Sequence, residues 1–135
     1  MEKALFLAAK INYLPGQLIL DLGQTETFEA DPRRIQITDT LFLLPPQLIY
    51  HSCEPNAYID WPHLLLRASR PIAKQALITY HYGTSELDYE VGAFQCECGS
   101  RACVGYFRGF MYMLPEQQSV IRDYLSPYIR SALAY

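Results

Sequence analysis

Apolar residues in this chain gather in short runs rather than long stripes. Residues 17–22 (QLILDL), introduced by the turn pair Pro15-Gly16, form an apolar run of strand length, and residues 35–38 (IQIT) alternate strictly. Residues 64–68 (LLLRA) and 76–82 (ALITYHY) are two more β-prone runs, joined by a connection containing Pro71, and Gly83 ends the second. Pro45-Pro46 removes two backbone donors and forces an extended or turn path before QLIYHSCEPN at 47–56. Only 116–133 reads as helix, with Val120, Ile121, Tyr124, Leu125, Tyr128, Ile129 and Leu133 near one stripe, and Pro127 is expected to kink or divide it. The pattern is that of many short strands followed by a C-terminal helix.

The length of 135 residues with half of them apolar suits one domain, which buries roughly 65 to 70% of its unfolded surface. A net charge of −3, with Arg33-Arg34 as the densest basic cluster, argues against a nucleic-acid partner. The early apolar run at 4–9 (ALFLAA) is closed by Lys10 and is too short for a signal-peptide core or a membrane span. The expectation is a soluble, cytoplasmic protein with no membrane partner, in which cysteines act as ligands, catalytic groups or core residues rather than disulfides.

Three of the four cysteines fall in CECGSRAC, spaced Cys96-x-Cys98-x4-Cys103, with Gly99 permitting a sharp turn. Three thiolates leave a tetrahedral zinc site one ligand short, and Cys53 is the cysteine that remains. Two other readings stand beside zinc. The thiols could be plain buried residues, or Cys53 could be a nucleophile with His51 as its base two positions away.

In order and spacing, IYHSCEPN, LITYHYG and CECGSRACVGYFRGF resemble the signature blocks of SET-domain protein-lysine methyltransferases with a post-SET zinc loop. The resemblance covers residues 48–110, with a weaker echo at 3–19. It implies a mainly β fold of the β-clip kind: short strands in small sheets, a knot-like crossing around 51–56, a zinc-bound post-SET loop and a C-terminal helix. The corresponding segments are a SET-like domain at 1–95, the zinc loop at 96–110 and a helical segment at 111–135.

The resemblance further implies methyl transfer from S-adenosylmethionine to a lysine amine, on a protein or peptide or else on a small molecule. Cys53, Cys96, Cys98 and Cys103 would hold Zn2+, and Tyr50, His51 and Phe107 would lie at the cofactor. Tyr82 matches the catalytic tyrosine, and Tyr80 matches the position that limits how many methyl groups are added. Without the flanking blocks, two alternate tyrosines in a strand would simply share a face and pack.

Several positions depart from the family pattern. Tyr50 replaces the asparagine before the histidine, Glu2-Lys3-Ala4 replaces the Gly-x-Gly, and Gln75-Ala76-Leu77 replaces the Gly-Glu-Glu turn. Leu22 sits near a usual active-site tyrosine, and His81 stands where an aspartate is common. These departures motivate a second expectation, a SET-like scaffold that no longer transfers methyl groups and serves as a binding module or works on a small molecule in the former channel. There His81, with an ordinary pKa of about 6.5, would be the general acid or base, although a lone histidine near a strand end is more often simply hydrogen-bonded. The C-terminal stripe is expected to pack on the sheet, and any part left exposed would mark a homodimer contact or a partner groove.

Overall fold

The computed structural model describes residues 6–24, 26–27, 31 and 33–134. Its strands are β1 (Leu18–Asp21), β2 (Glu26–Thr27), β3 (Ile35–Gln36), β4 (Phe42–Leu43), β5 (Tyr50–His51), β6 (Ala57–Asp60), β7 (Leu65–Ala68), β8 (Thr79–Tyr80), β9 (Phe94–Gln95) and β10 (Tyr106–Phe107). Two short helices follow, α1 (Pro115–Val120) and α2 (Pro127–Leu133). The Glu2-Lys3-Ala4 position lies outside the described residues.

The strands form small separate sheets: antiparallel β1-β7-β6 and β2-β4-β3, the hairpin-like pair β9-β10, and the parallel pair β5-β8. Parallel neighbours need a long crossover. Here β6 and β7 supply it, so the chain leaves His51, builds part of another sheet and returns beside itself at Thr79. The N-terminal segment seals the arrangement, with Leu7 donating to the Leu48 carbonyl at 2.8 Å while its own carbonyl accepts from the Ile78 amide at 3.0 Å.

Most expected strands are present but shorter. The run at 17–22 stops at Asp21, where the chain tightens into a 3-10 turn over Leu22–Gln24. The run at 76–82 pairs only through Thr79 and Tyr80, because the chain turns into a 3-10 segment at Tyr82–Thr84. Pro127 divides the C-terminal stripe: Ser126 is held extended before it, as pre-proline residues are, and its hydroxyl caps α2 by accepting from the Ile129 amide. Ile121, Leu125 and Ile129 of that stripe are buried against the core.

Two glycines allow close approach near the site. A Cβ at Gly83 would crowd Met113 and Ile121, so its absence lets the C-terminal segment sit directly over the end of β8. Gly109 has φ +129°, and a Cβ there would overlap the Leu87 carbonyl.

Candidate functional site

The parallel pairing of β5 with β8 places Tyr50 opposite Thr79 and His51 opposite Tyr80, so HSCEPN and TYHYG meet at one point. Asn56 fixes that register. Its side-chain oxygen accepts from the Thr79 amide at 2.8 Å and its amide nitrogen donates to the Leu77 carbonyl at 2.9 Å, imitating a strand neighbour.

Tyr82 is anchored at both ends. Its backbone N–H donates to His51 Nδ1 at 3.0 Å, and its hydroxyl donates to the Ile49 carbonyl at 2.5 Å. A carbonyl can only accept, so the phenol proton is committed and the hydroxyl's remaining capacity is as an acceptor. Burial, reinforced by Tyr89, Glu86 and Tyr50, pushes the phenol above its usual range, so Tyr82 is neutral at pH 7.

A cleft of ≈ 420 Å³ opens over Tyr82. Its lining includes Leu48, Tyr50, His51, Tyr89, Phe94 and Glu97, mostly apolar or aromatic surface with a single carboxylate. The size lies in the range of small-molecule and cofactor sites. Aromatic faces with a carboxylate suit a ligand that carries a positive charge and a flat ring.

Beside the cleft the four cysteines converge. The sulfurs of Cys53, Cys96, Cys98 and Cys103 all lie within 4.8 Å of one another, and Cys53 and Cys96 are 3.9 Å apart. Four sulfurs at about 2.3 Å from a tetrahedral zinc are spaced at about 3.8 Å, so the donor set fits that ion. Turns at Gly99 and Gly105, with φ +76° and +74°, bend the chain so that both ends of the loop face Cys53. Burial raises the Cys53 and Cys96 thiols, the latter to about 11. At Cys98 burial is outweighed by hydrogen bonds, chiefly from the Ser100 and Cys53 backbone, which bring it down to about 7. Four adjacent thiolates would need a dication to coexist, and four protein ligands would leave that ion no open position, as in structural sites.

Residues 9–83 match the SET domain. The chain belongs to the SET-domain family. Methyltransferase flvH of Aspergillus flavus is 34% identical over 95 residues, an alignment covering 67% of this chain and 52% of that protein. The chain thus spans about half the length of this relative. Within the SET match lie His51, Cys53, Asn56, Tyr80 and Tyr82, while the three clustered cysteines lie beyond it.

The structure distributes the expected site residues over two faces of this SET domain. Tyr82, Tyr50 and His51 line the cleft with Cys96 and Cys98. Tyr50 is 40% exposed and stacks on Phe6 with ring centres 4.2 Å apart. Phe107, fully buried, lies behind the cleft, stacked on the His51 ring at 5.5 Å. Tyr80 is 2% exposed, 5.1 Å from the Tyr82 ring, and shares a hydrogen bond with Ser85 rather than lining the cleft. His81 faces a separate pocket with Tyr58, Arg70 and Tyr124, and its Nδ1 accepts from the Gly83 amide at 3.0 Å, capping the 3-10 turn. Burial lowers its pKa to about 4, and burial with the nearby His81 charge lowers His51 to about 3, so both rings are neutral at pH 7.

Sequence reasoning missed Tyr89, Phe94 and Asn56, and it missed a buried ion pair. Arg34 Nε donates to Glu86 at 2.9 Å, the Gln36 amide donates to the other Glu86 oxygen at 2.8 Å, and Arg34 reaches the Asp88 carbonyl at 3.1 Å. The pair fixes residues 86–88, directly before the Tyr89 wall of the cleft. In the sequence both charges stand among other polar and charged residues, in DPRRIQ and TSELDYE, so neither was singled out and neither named its partner. Among the described residues, no helix is long and apolar enough to cross a membrane.

Proposed function

We propose that the chain is an S-adenosylmethionine-dependent N-methyltransferase whose acceptor is an amine, with a lysine side chain as the acceptor class, and that its four cysteines hold a structural zinc ion. The observation that carries this reading is the Tyr82 hydroxyl, with its proton committed to Ile49, beneath an apolar cleft. Leu48, Tyr50, Phe94 and Glu97 would hold the cofactor. When bound, it supplies an electrophilic methyl group on a positively charged sulfur.

The remaining work falls to the chain's own groups. An attacking amine must be neutral, although free lysine has a pKa of about 10.4, and walls of low polarity lower that value by disfavouring the ammonium form. The Tyr82 oxygen accepts an amine N–H, which aims the nitrogen lone pair and favours the positive charge that develops on nitrogen. Its raised pKa means that Tyr82 orients and stabilises rather than removing a proton.

The test is transfer of labelled methyl groups to a panel of lysine peptides and free amines. Tyr82→Phe should lower turnover about 100-fold or more while leaving cofactor affinity within a few-fold; unchanged turnover would refute the assignment. The Tyr50–Phe6 stack, at the position where family members carry asparagine, favours a second reading, a SET scaffold that binds without transferring. Such a protein would label no acceptor in the panel.

A further inference from the structure

We infer that His51 is a positioning residue whose imidazole joins the metal-binding sulfur of Cys53 to the main chain of Tyr82. The inference deepens the four-thiolate reading proposed above and rests on it.

The tautomer follows from the partners. His51 Nδ1 accepts the Tyr82 N–H at 3.0 Å, so that nitrogen is unprotonated and the ring proton sits on Nε2. Nε2 lies 3.3 Å from Cys53 Sγ, which makes it an N–H donor to sulfur. The Val104 amide donates to the same sulfur at 3.3 Å. Two N–H groups therefore converge on Cys53, the arrangement that stabilises a metal-bound thiolate. The ring cannot easily swing away, since Phe107 stacks on it while His81 and Tyr82 meet it at steep angles, with centres 4.6 and 5.2 Å away.

The competing use of these groups is a second metal site, because His51, Cys53 and His81 also place ligand atoms within 4.8 Å of one another. The tautomers exclude it. His81, like His51, accepts a backbone N–H at Nδ1, so in each neutral ring the one in-plane lone pair is already engaged and Nε2 carries hydrogen. Neither ring can ligate without breaking a main-chain hydrogen bond.

Tyr82 is thereby clamped to residues 49–51 twice, through its amide to the His51 ring and through its hydroxyl to the Ile49 carbonyl. A shift of Cys53 on metal loss is passed by one rigid ring to the backbone that sets the Tyr82 hydroxyl. Both His51 nitrogens are spent in this role, so the side chain gives no hydrogen bond to a cleft ligand.

The test uses the full chain loaded with cadmium-113 in place of zinc and examined by NMR. The cadmium shift reports whether four sulfurs bind; a shift of any other donor set defeats the four-thiolate reading and this inference with it. Given four sulfurs, scalar coupling from cadmium to both the His51 ring Hε2 and the Val104 amide proton is expected. Coupling to Val104 with none to His51 overturns the inference alone. His51→Phe should weaken cadmium binding about 10- to 100-fold, and His51→Gln, which keeps a donor and an acceptor, should restore most of it. Equal affinities for the two variants would also overturn it.

Discussion

Replacing Arg34 by Met removes the partner of a carboxylate with no solvent exposure, together with the guanidinium that lies 4.3 Å from the Phe42 ring, while keeping an unbranched apolar side chain in its place. Glu86 would keep the Gln36 amide at 2.8 Å and the Ser85 hydroxyl, and lose the charged donor at 2.9 Å. Breaking a buried pair from one side costs about 3 to 5 kcal/mol, because the stranded charge stays desolvated. That is a large fraction of a domain's usual stability. Burial already raises the Glu86 pKa against the opposing pull of hydrogen bonds and Arg34, so removing Arg34 raises it further. The folded variant then binds more protons than the unfolded chain above pH 4.5, and its stability falls as pH rises. The deficit relative to the parent should be small near pH 4.5 and largest above neutrality. Urea unfolding followed by Trp61, at fixed free zinc, measures it. Adding Glu86→Gln to the variant should recover ~2 kcal/mol at pH 7 by removing the stranded charge. A deficit below about 1 kcal/mol at pH 7, or one that grows as pH falls, would refute the reasoning.

Two further outcomes follow from the site. Cys53→Ser should lower bound zinc from one ion per chain to well below one in metal analysis after gel filtration, since one thiolate of a closed tetrahedral set is lost; retention of one ion at unchanged affinity would refute the four-cysteine site. His81 has a folded pKa near 4 against about 6.5 unfolded, so its contribution is fully present at pH 7 and is lost as pH falls from 6.5 toward 4, about 2.5 kcal/mol by pH 4.5. His81→Asn keeps a side-chain acceptor for the Gly83 amide without the titration, so its denaturation midpoint should fall less steeply with acid than the parent's.

The convergence of the four cysteines was readable from sequence because counting donors needs no knowledge of the path between them: a tetrahedral site needs four, and Cys53, 43 positions before Cys96, is the one cysteine outside CECGSRAC. The strands were readable only as β-prone runs. Each is two to four residues long, and no period can bound a segment of two. Position 82 shows the consequence. Alternation puts Tyr80 and Tyr82 on one face, yet the strand ends at Tyr80, and Tyr82 begins a 3-10 turn that carries its ring into the cleft while Tyr80 turns to Ser85. The role of His81 was hidden for a similar reason, since capping an amide two residues ahead depends on backbone angles set by the turn. Phe94 and Tyr89 could not have been found from periodicity. Tyr89 follows directly on the segment held by the Arg34–Glu86 pair, whose members are 52 positions apart, and Phe94 is placed by pairing opposite Phe107.

Calorimetric titration of the zinc-loaded chain with S-adenosylmethionine tests the proposed function most directly. The proposed function predicts binding in the cleft over Tyr82 in the micromolar range, about −8 kcal/mol or stronger, with Tyr82→Phe binding nearly as well because its hydroxyl is tied to Ile49. No heat at millimolar ligand from folded, zinc-containing protein would contradict the methyltransferase reading and leave the SET scaffold with a different ligand above Tyr82.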